Sequence, residues 1–167
     1  MSAVDTTTAH FRNFVPLEAS QSDSMVARKG ADRWRGSAYF FDQDSLWHIG
    51  GVAEWRGGAL ADGHRDYLSF LLRLGLAPGC YPLADYSATI STDSVHLTAR
   101  SVDYDVPISY YRLDHEAANF LELDPPTEGS EDTLRGRFQL TLLADFPDPP
   151  RVYPTTRFAE GRFVVTR

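Results

Sequence analysis

From Trp34 to the last residues, apolar and polar side chains alternate with a period of two, broken by short turn-forming stretches. Within residues 67–74, Leu68, Phe70, Leu72 and Leu74 share one side, and Tyr67, Ser69, Leu71 and Arg73 the other. Residues 94–100 repeat the pattern with Val95, Leu97 and Ala99. Successive strand side chains point to opposite faces, so this alternation predicts sheets with one buried face and one wet face. Parallel sheets are covered on both faces and read as continuous apolar runs. The pattern therefore predicts an antiparallel all-β domain, either a β-sandwich or a partly closed barrel.

Residues 34–41 and 46–55 read as a hairpin, joined by a turn-rich stretch at 42–45. In its second arm Trp47, Ile49, Gly51, Ala53 and Trp55 share a face, with His48, Val52 and Glu54 on the other. A bulge at Gly50 and Gly51 would swap the faces beyond it. A loop at 57–66 leads to the strand 67–74, and 77–82 reads as a turn. Further strands are expected at 87–90, 94–103, 108–113, 119–123, 136–143 and 157–166. Pro147, Pro149, Pro150 and Pro154 make a rigid loop, because proline cannot donate to a ladder. Residues 115–118 have room for a single turn of helix. Residues 1–30 are polar around a small apolar patch, Phe11, Phe14, Val15 and Leu17. They read as a flexible N-terminal arm or tether, with a strand that docks Phe11 and Phe14 as the alternative. Residues 31–167 then form a single β domain.

Composition narrows the partners. At 43% hydrophobic and 23% charged the chain belongs with folded domains rather than disordered ones. Its 23 acidic against 16 basic residues give a net charge of −7, which repels a phosphate backbone and excludes nucleic acid as a partner. Lys29 is the only lysine. Cys80 is the only cysteine, so no disulfide forms within one chain. No apolar run is long enough for a transmembrane segment. If Met1 is the natural start the protein is cytoplasmic; if an export signal was trimmed it belongs to the envelope or periplasm. The oligomeric state is left open.

Candidate chemistry is sparse. Asp62, His64 and Asp66 fall at alternate positions, so an extended chain would turn all three to one side, where oxygen and imidazole ligands could hold a divalent ion. In a loop, Gly63 is a turn residue and the charges are solvated. His48 and His96 lie on the polar sides of their strands and read as exposed surface residues. No Gly-x-Ser-x-Gly elbow is present, and Cys80 stands in a Pro-Gly turn without a local base. Glu54, Glu116 and Glu122 form a glycosidase-like pair only if space brings two of them together. No Gly-rich loop precedes a helix, so no cofactor is expected. The remaining feature is aromatic. Tyr104, Tyr110, Tyr111 and Tyr153 stand near strand ends and loops, where an outward ring can stack on a sugar or anchor a protein. Tyr110 and Tyr111 are adjacent, so on a strand one of them faces out.

Pro78-Gly-Cys-Tyr-Pro-Leu83, Leu134-Arg-Gly-Arg-Phe-Gln-Leu140 and Phe158-Ala-Glu-Gly-Arg-Phe-Val-Val165 follow Tyr67-Leu-Ser-Phe-Leu-Leu in order, with Asn119-Phe-Leu-Glu-Leu-Asp124 between. This series resembles a group of small, uncharacterised bacterial cell-envelope domains, many of them lipoproteins. In that group a strand ends in Gly-x-Tyr, a later one carries Gly-x-Phe, and the chain closes on Glu-Gly-x-Phe-x-Val. The resemblance spans about residues 34–167 and implies no catalytic residue. The group's lipid-bearing cysteine near the N-terminus has no counterpart here. Physically, Gly79 and Gly136 are expected to let a strand bend beside a large ring.

The expectation that follows is a non-enzymatic binding or structural interaction module, set by the resemblance at the cell envelope, with a protein or glycan partner. A hydrolase with loop-borne residues is the alternative from another class. A lipocalin-like carrier of a small apolar ligand is the third, and it needs a hollow barrel. The size of Phe70, Leu72, Leu74 and Phe138 favours a filled one.

Overall fold

A computed structural model describes residues 13–16, 23–43, 45–56, 63–73, 75, 77–86, 94–149 and 151–167. Among them run eleven strands: β1 (Asn13–Pro16), β2 (Ser24–Lys29), β3 (Asp32–Gln43), β4 (Leu46–Arg56), β5 (His64–Arg73) and β6 (Gly79–Asp85) come first. They are followed by β7 (Val95–Asp103), β8 (Val106–Leu113), β9 (Phe120–Leu123), β10 (Thr133–Ala144) and β11 (Thr155–Thr166). Nine of these close into a barrel in the order β2, β3, β4, β5, β7, β6, β9, β10, β11, and β11 returns to β2. The all-β expectation holds, and of its two forms the barrel is the one adopted.

Most pairings are antiparallel. Two are not, which corrects the purely antiparallel expectation: β1 lies parallel to β3, and β6 parallel to β7. β1 enters where the start of β3 and the end of β4 splay apart, with Phe14 opposite both Trp34 and Trp55 in register. At the other departure β7 forks. Its first residues pair with β6, and residues 99–103 pair with β8. β8 also reaches the end of β10 through Leu113 opposite Leu142, so it fills the upper half of the fork.

The alternation places the core as expected. Ile49, Leu68, Phe70, Leu72, Leu97, Phe138, Leu140 and Phe163 point inward and are buried. Hairpin β3–β4 keeps a continuous register through Gly50 and Gly51, so no bulge swaps its faces. Irregularities occur instead between β10 and β11, between β11 and β2 and between β7 and β8.

Several expectations give way. Ser24–Lys29 of the supposed 1–30 arm is wall strand β2, paired on both sides, with Met25 fully buried. The last residues of the loop expected at 57–66 are strand instead, because β5 begins at His64; residues 57–62 lie outside the described residues. The turn at 77–82 is largely strand β6, in which Tyr81 and Leu83 face in while Cys80 and Pro82 face out. Residues 115–118 form only a turn, closed by the Ala117 amide on the Asp114 carbonyl at 3.1 Å. The strand expected at 87–90 lies outside the described residues.

The Gly-x-Phe motif has a cross-strand explanation. β10 carries Gly136-Arg-Phe138 and β11 carries Gly161-Arg-Phe163, with Gly136 opposite Phe163 and Phe138 opposite Gly161. Each ring lies on the other strand's glycine. A Cβ on Gly136 would come within 2.5 Å of the Phe163 ring and 2.1 Å of the Glu122 carbonyl oxygen. Backbone cannot step aside as a flexible side chain can, so Gly136→Ala is expected to destabilise the domain by about 1–3 kcal/mol. An unchanged urea midpoint would show that the strands part without strain.

Candidate functional site

Two polar assemblies stand out, one inside the barrel and one outside. The inner one uses positions that the alternation assigns to the core. Lys29 on β2, His64 and Asp66 on β5 and Ser101 on β7 all face inward and are buried. The Lys29 ammonium donates to Asp66 Oδ2 at 2.5 Å, and Ser101 Oγ donates to Asp66 Oδ1 at 2.7 Å. Ser101 Oγ also lies 2.8 Å from the Tyr111 hydroxyl. His64 bridges outward, with Nε2 3.7 Å from Asp66 Oδ1 and Nδ1 2.7 Å from Asp103 Oδ1. Arg151 completes the chain by donating to Asp103 Oδ2 at 2.5 Å and to Asp148.

Burial by itself would push the Asp66 carboxyl up. The Lys29 ammonium and the His64 ring outweigh that and hold it well below the usual carboxylate range. The carboxylate is thus ionised inside the protein and fully occupied. Space beside Lys29 amounts to about 10 Å³, which fits about one water and no substrate. Among the described residues, the assembly is a buried ionic fastening of β2, β5 and β7.

It also accounts for the metal candidates. His64 and Asp66 do project to one side, but Lys29 supplies the cation that the carboxylate needs. Asp62 lies outside the described residues. Among the described residues no cluster of three or more His, Cys, Asp or Glu is placed to hold a metal ion.

The outer assembly is a groove of about 650 Å³ over the fork of β7. Its floor is built by strand register. Tyr67 on β5 stands opposite Arg100 on β7, and Arg100 stands opposite Tyr110 on β8. The Arg100 guanidinium lies over the Tyr67 ring at 4.8 Å. One row away, Tyr39 on β3 faces Gly50 on β4, which faces Ser69 on β5. Because Gly50 has no side chain, the Tyr39 ring lies across it, where a Cβ would stand 2.0 Å from the ring. The Tyr39 hydroxyl thereby reaches Ser69. Burial pushes the Tyr39 phenol up, against the smaller opposing effects of Ser69 and Arg100, so the hydroxyl keeps its proton. Phe41, stacked on both Tyr39 and His48, continues the aromatic face along β3.

The rim is fastened by Asp85 at the end of β6. Its Oδ1 accepts the Leu113 amide of β8 at 2.7 Å, and its Oδ2 lies 2.9 Å from His115 Nε2. These bonds join β6 and β8, which share no backbone pairing, across the fork. His96 Nδ1 lies 3.0 Å from the Asp85 carbonyl oxygen. His96 is therefore buried rather than an exposed surface residue, and His48 is half-buried against Phe41.

Of the four tyrosines expected as a contact surface, Tyr110 and Tyr111 both line the groove, and Tyr104 and Tyr153 do not. Tyr110 faces out into the groove, half exposed, while its neighbour Tyr111 turns inward to Ser101. Tyr104 occupies the β7–β8 turn at φ 54° and Tyr153 the loop before β11; both are exposed, and neither lines the groove. Sequence reasoning missed Tyr39, Tyr67, Arg100 and Arg112. Their outward positions follow from the alternation, but their adjacency depends on register, which no single strand reveals. Cys80 is exposed on β6. No family model, curated protein or solved structure matches the chain.

Proposed function

We propose that this protein is a non-enzymatic binding module that works through the outer groove. One observation carries the reading: tyrosines from β3, β5 and β8 converge with two arginines on a concavity sized for a small ligand. Large aromatic rings give contact area at low conformational cost, and they stack on the flat faces of sugars and other rings. Among the described residues, the large side chains of Trp34, Phe70, Phe138 and Phe163 are fully buried and fill the interior. A ligand carried in a hollow barrel is disfavoured for that reason. The envelope setting rests on the motif resemblance only.

Tyr110 provides the test. Its ring is half exposed and its neighbours do not need it for packing, so Tyr110→Ala is expected to leave the melting temperature nearly unchanged. On a glycan array and in ligand-observed NMR with small ring compounds, the same variant should lose more than about 1 kcal/mol of affinity. The opposing result is turnover on a hydrolase panel that survives purification and disappears on one Asp, Glu or His substitution.

A further inference from the structure

We infer that the groove selects a ring compound bearing a negative charge: the shared chemistry is a carboxylate on a flat-faced ring, as in a sugar acid or an aryl carboxylate. This deepens the binding reading above and rests on it. The inference comes from where the charge sits. The chain as a whole carries −7, so an anion is repelled by most of the surface. The groove inverts that sign: among the described residues, Arg100 and Arg112 line it against one aspartate, Asp85. Both oxygens of Asp85 are engaged at the rim, by the Leu113 amide and the His115 ring.

Among the described residues, neither arginine forms an ion pair with a carboxylate. Both are exposed. The two guanidinium groups therefore stand ready for an oxygen anion, which their forked N–H donors bind in a bidentate way. The Arg100 guanidinium lies over the Tyr67 ring at 4.8 Å, a contact that restrains it before any ligand arrives. Tyr39 adds a protonated hydroxyl at the floor beside Ser69. A charged group at the arginines leaves the remainder of the ligand for the rings of Tyr110 and Tyr86, which also line the groove. The predicted ligand needs both parts. An inorganic anion would use the arginines and leave the rings unused, and a neutral ring would do the reverse.

The experiment is isothermal titration of the full chain with two matched pairs, galacturonate with galactose and 2-naphthoate with 2-naphthol. The acid of at least one pair is expected to bind about tenfold or more tightly than its neutral partner at low ionic strength, with the difference shrinking as salt is added. Which pair shows it separates the sugar acid from the aryl carboxylate. Arg112→Gln should abolish the preference while the melting curve stays in place, because Arg112 is exposed and, among the described residues, pairs with no carboxylate. Arg100→Gln provides the second variant and should weaken the acid further by freeing Tyr67. Equal binding of acid and neutral partner, or a preference that survives both substitutions, overturns the charge inference. If that neutral binding still vanishes in Tyr110→Ala, the binding reading stands without it. Absence of binding by all four probes overturns both.

Discussion

Lys29→Met is expected to destabilise the domain by about 3–5 kcal/mol, the range found when one partner of a buried ion pair is removed. The side chains of Lys29 and Asp66 are each 4% exposed and 2.5 Å apart. With the ammonium gone, the Asp66 carboxylate keeps only Ser101 and the His64 ring in a site with room for about one water. It must then take up a proton or remain buried and uncompensated. Asp66→Asn takes the carboxylate's charge away from the buried ammonium and is expected to destabilise in the same direction. The double variant Lys29→Met with Asp66→Leu removes both charges, and it is expected to recover most of the loss. Urea unfolding of the three variants decides the matter. A double variant as unstable as the sum of the singles would mean that the two charges are not coupled, which would overturn the ionic fastening.

The same pair sets the acid limb of stability. Asp66 has a folded-state carboxyl held below its ordinary value, so the unfolded chain takes up the proton first as pH falls. Its contribution is present above the ordinary carboxylate range, near pH 4, and is lost progressively below it. Stability should therefore fall with acid more steeply in the native chain than in the double variant. Equal slopes would place the acid sensitivity in other carboxylates.

This cluster also explains what could be read in the chain and what could not. Where the interior is apolar, the alternation located strands correctly, as in β3, β4, β7 and β10. Where the interior is polar, it failed, because a charged residue at an inward position reads as an outward one. Lys29 concealed β2 and made the end of the supposed arm look solvated. His64 and Asp66 concealed the first residues of β5 and made them look like loop. β6 was hidden differently, by Pro78, Gly79 and Pro82, whose turn chemistry outweighed the inward Tyr81 and Leu83. Tyr110 was legible as the outward member of an adjacent pair. The rest of the groove was not, since Tyr67, Arg100 and Tyr110 become neighbours only through the pairing of β5, β7 and β8.

Phe70→Ala is the second large effect, expected at about 3–5 kcal/mol. Phe70 lies mid-strand in β5, fully buried, opposite Ile49 on β4 and Leu97 on β7. Its ring crosses the barrel to Phe138, with centroids 5.3 Å apart and planes tilted by 53°. Removing it deletes the transfer term and leaves a cavity that a closed barrel cannot collapse, since nine strands are held in register around it. The next residue is the natural control. Leu71 points to the outer face between His48 and His96, yet it is only 6% exposed, so this strand is covered on both faces at that point. The sequence pattern would make Leu71→Ala cost much less than Phe70→Ala; its burial predicts a loss of about 1.5–3 kcal/mol, the transfer term without the cavity term. Chemical denaturation should thus rank Phe70→Ala above Leu71→Ala, with both above an exposed-site control such as Arg73→Ala. A Leu71→Ala loss equal to that of Phe70→Ala would show that the outer face packs as rigidly as the interior. No loss would show that its covering is loose enough to admit water.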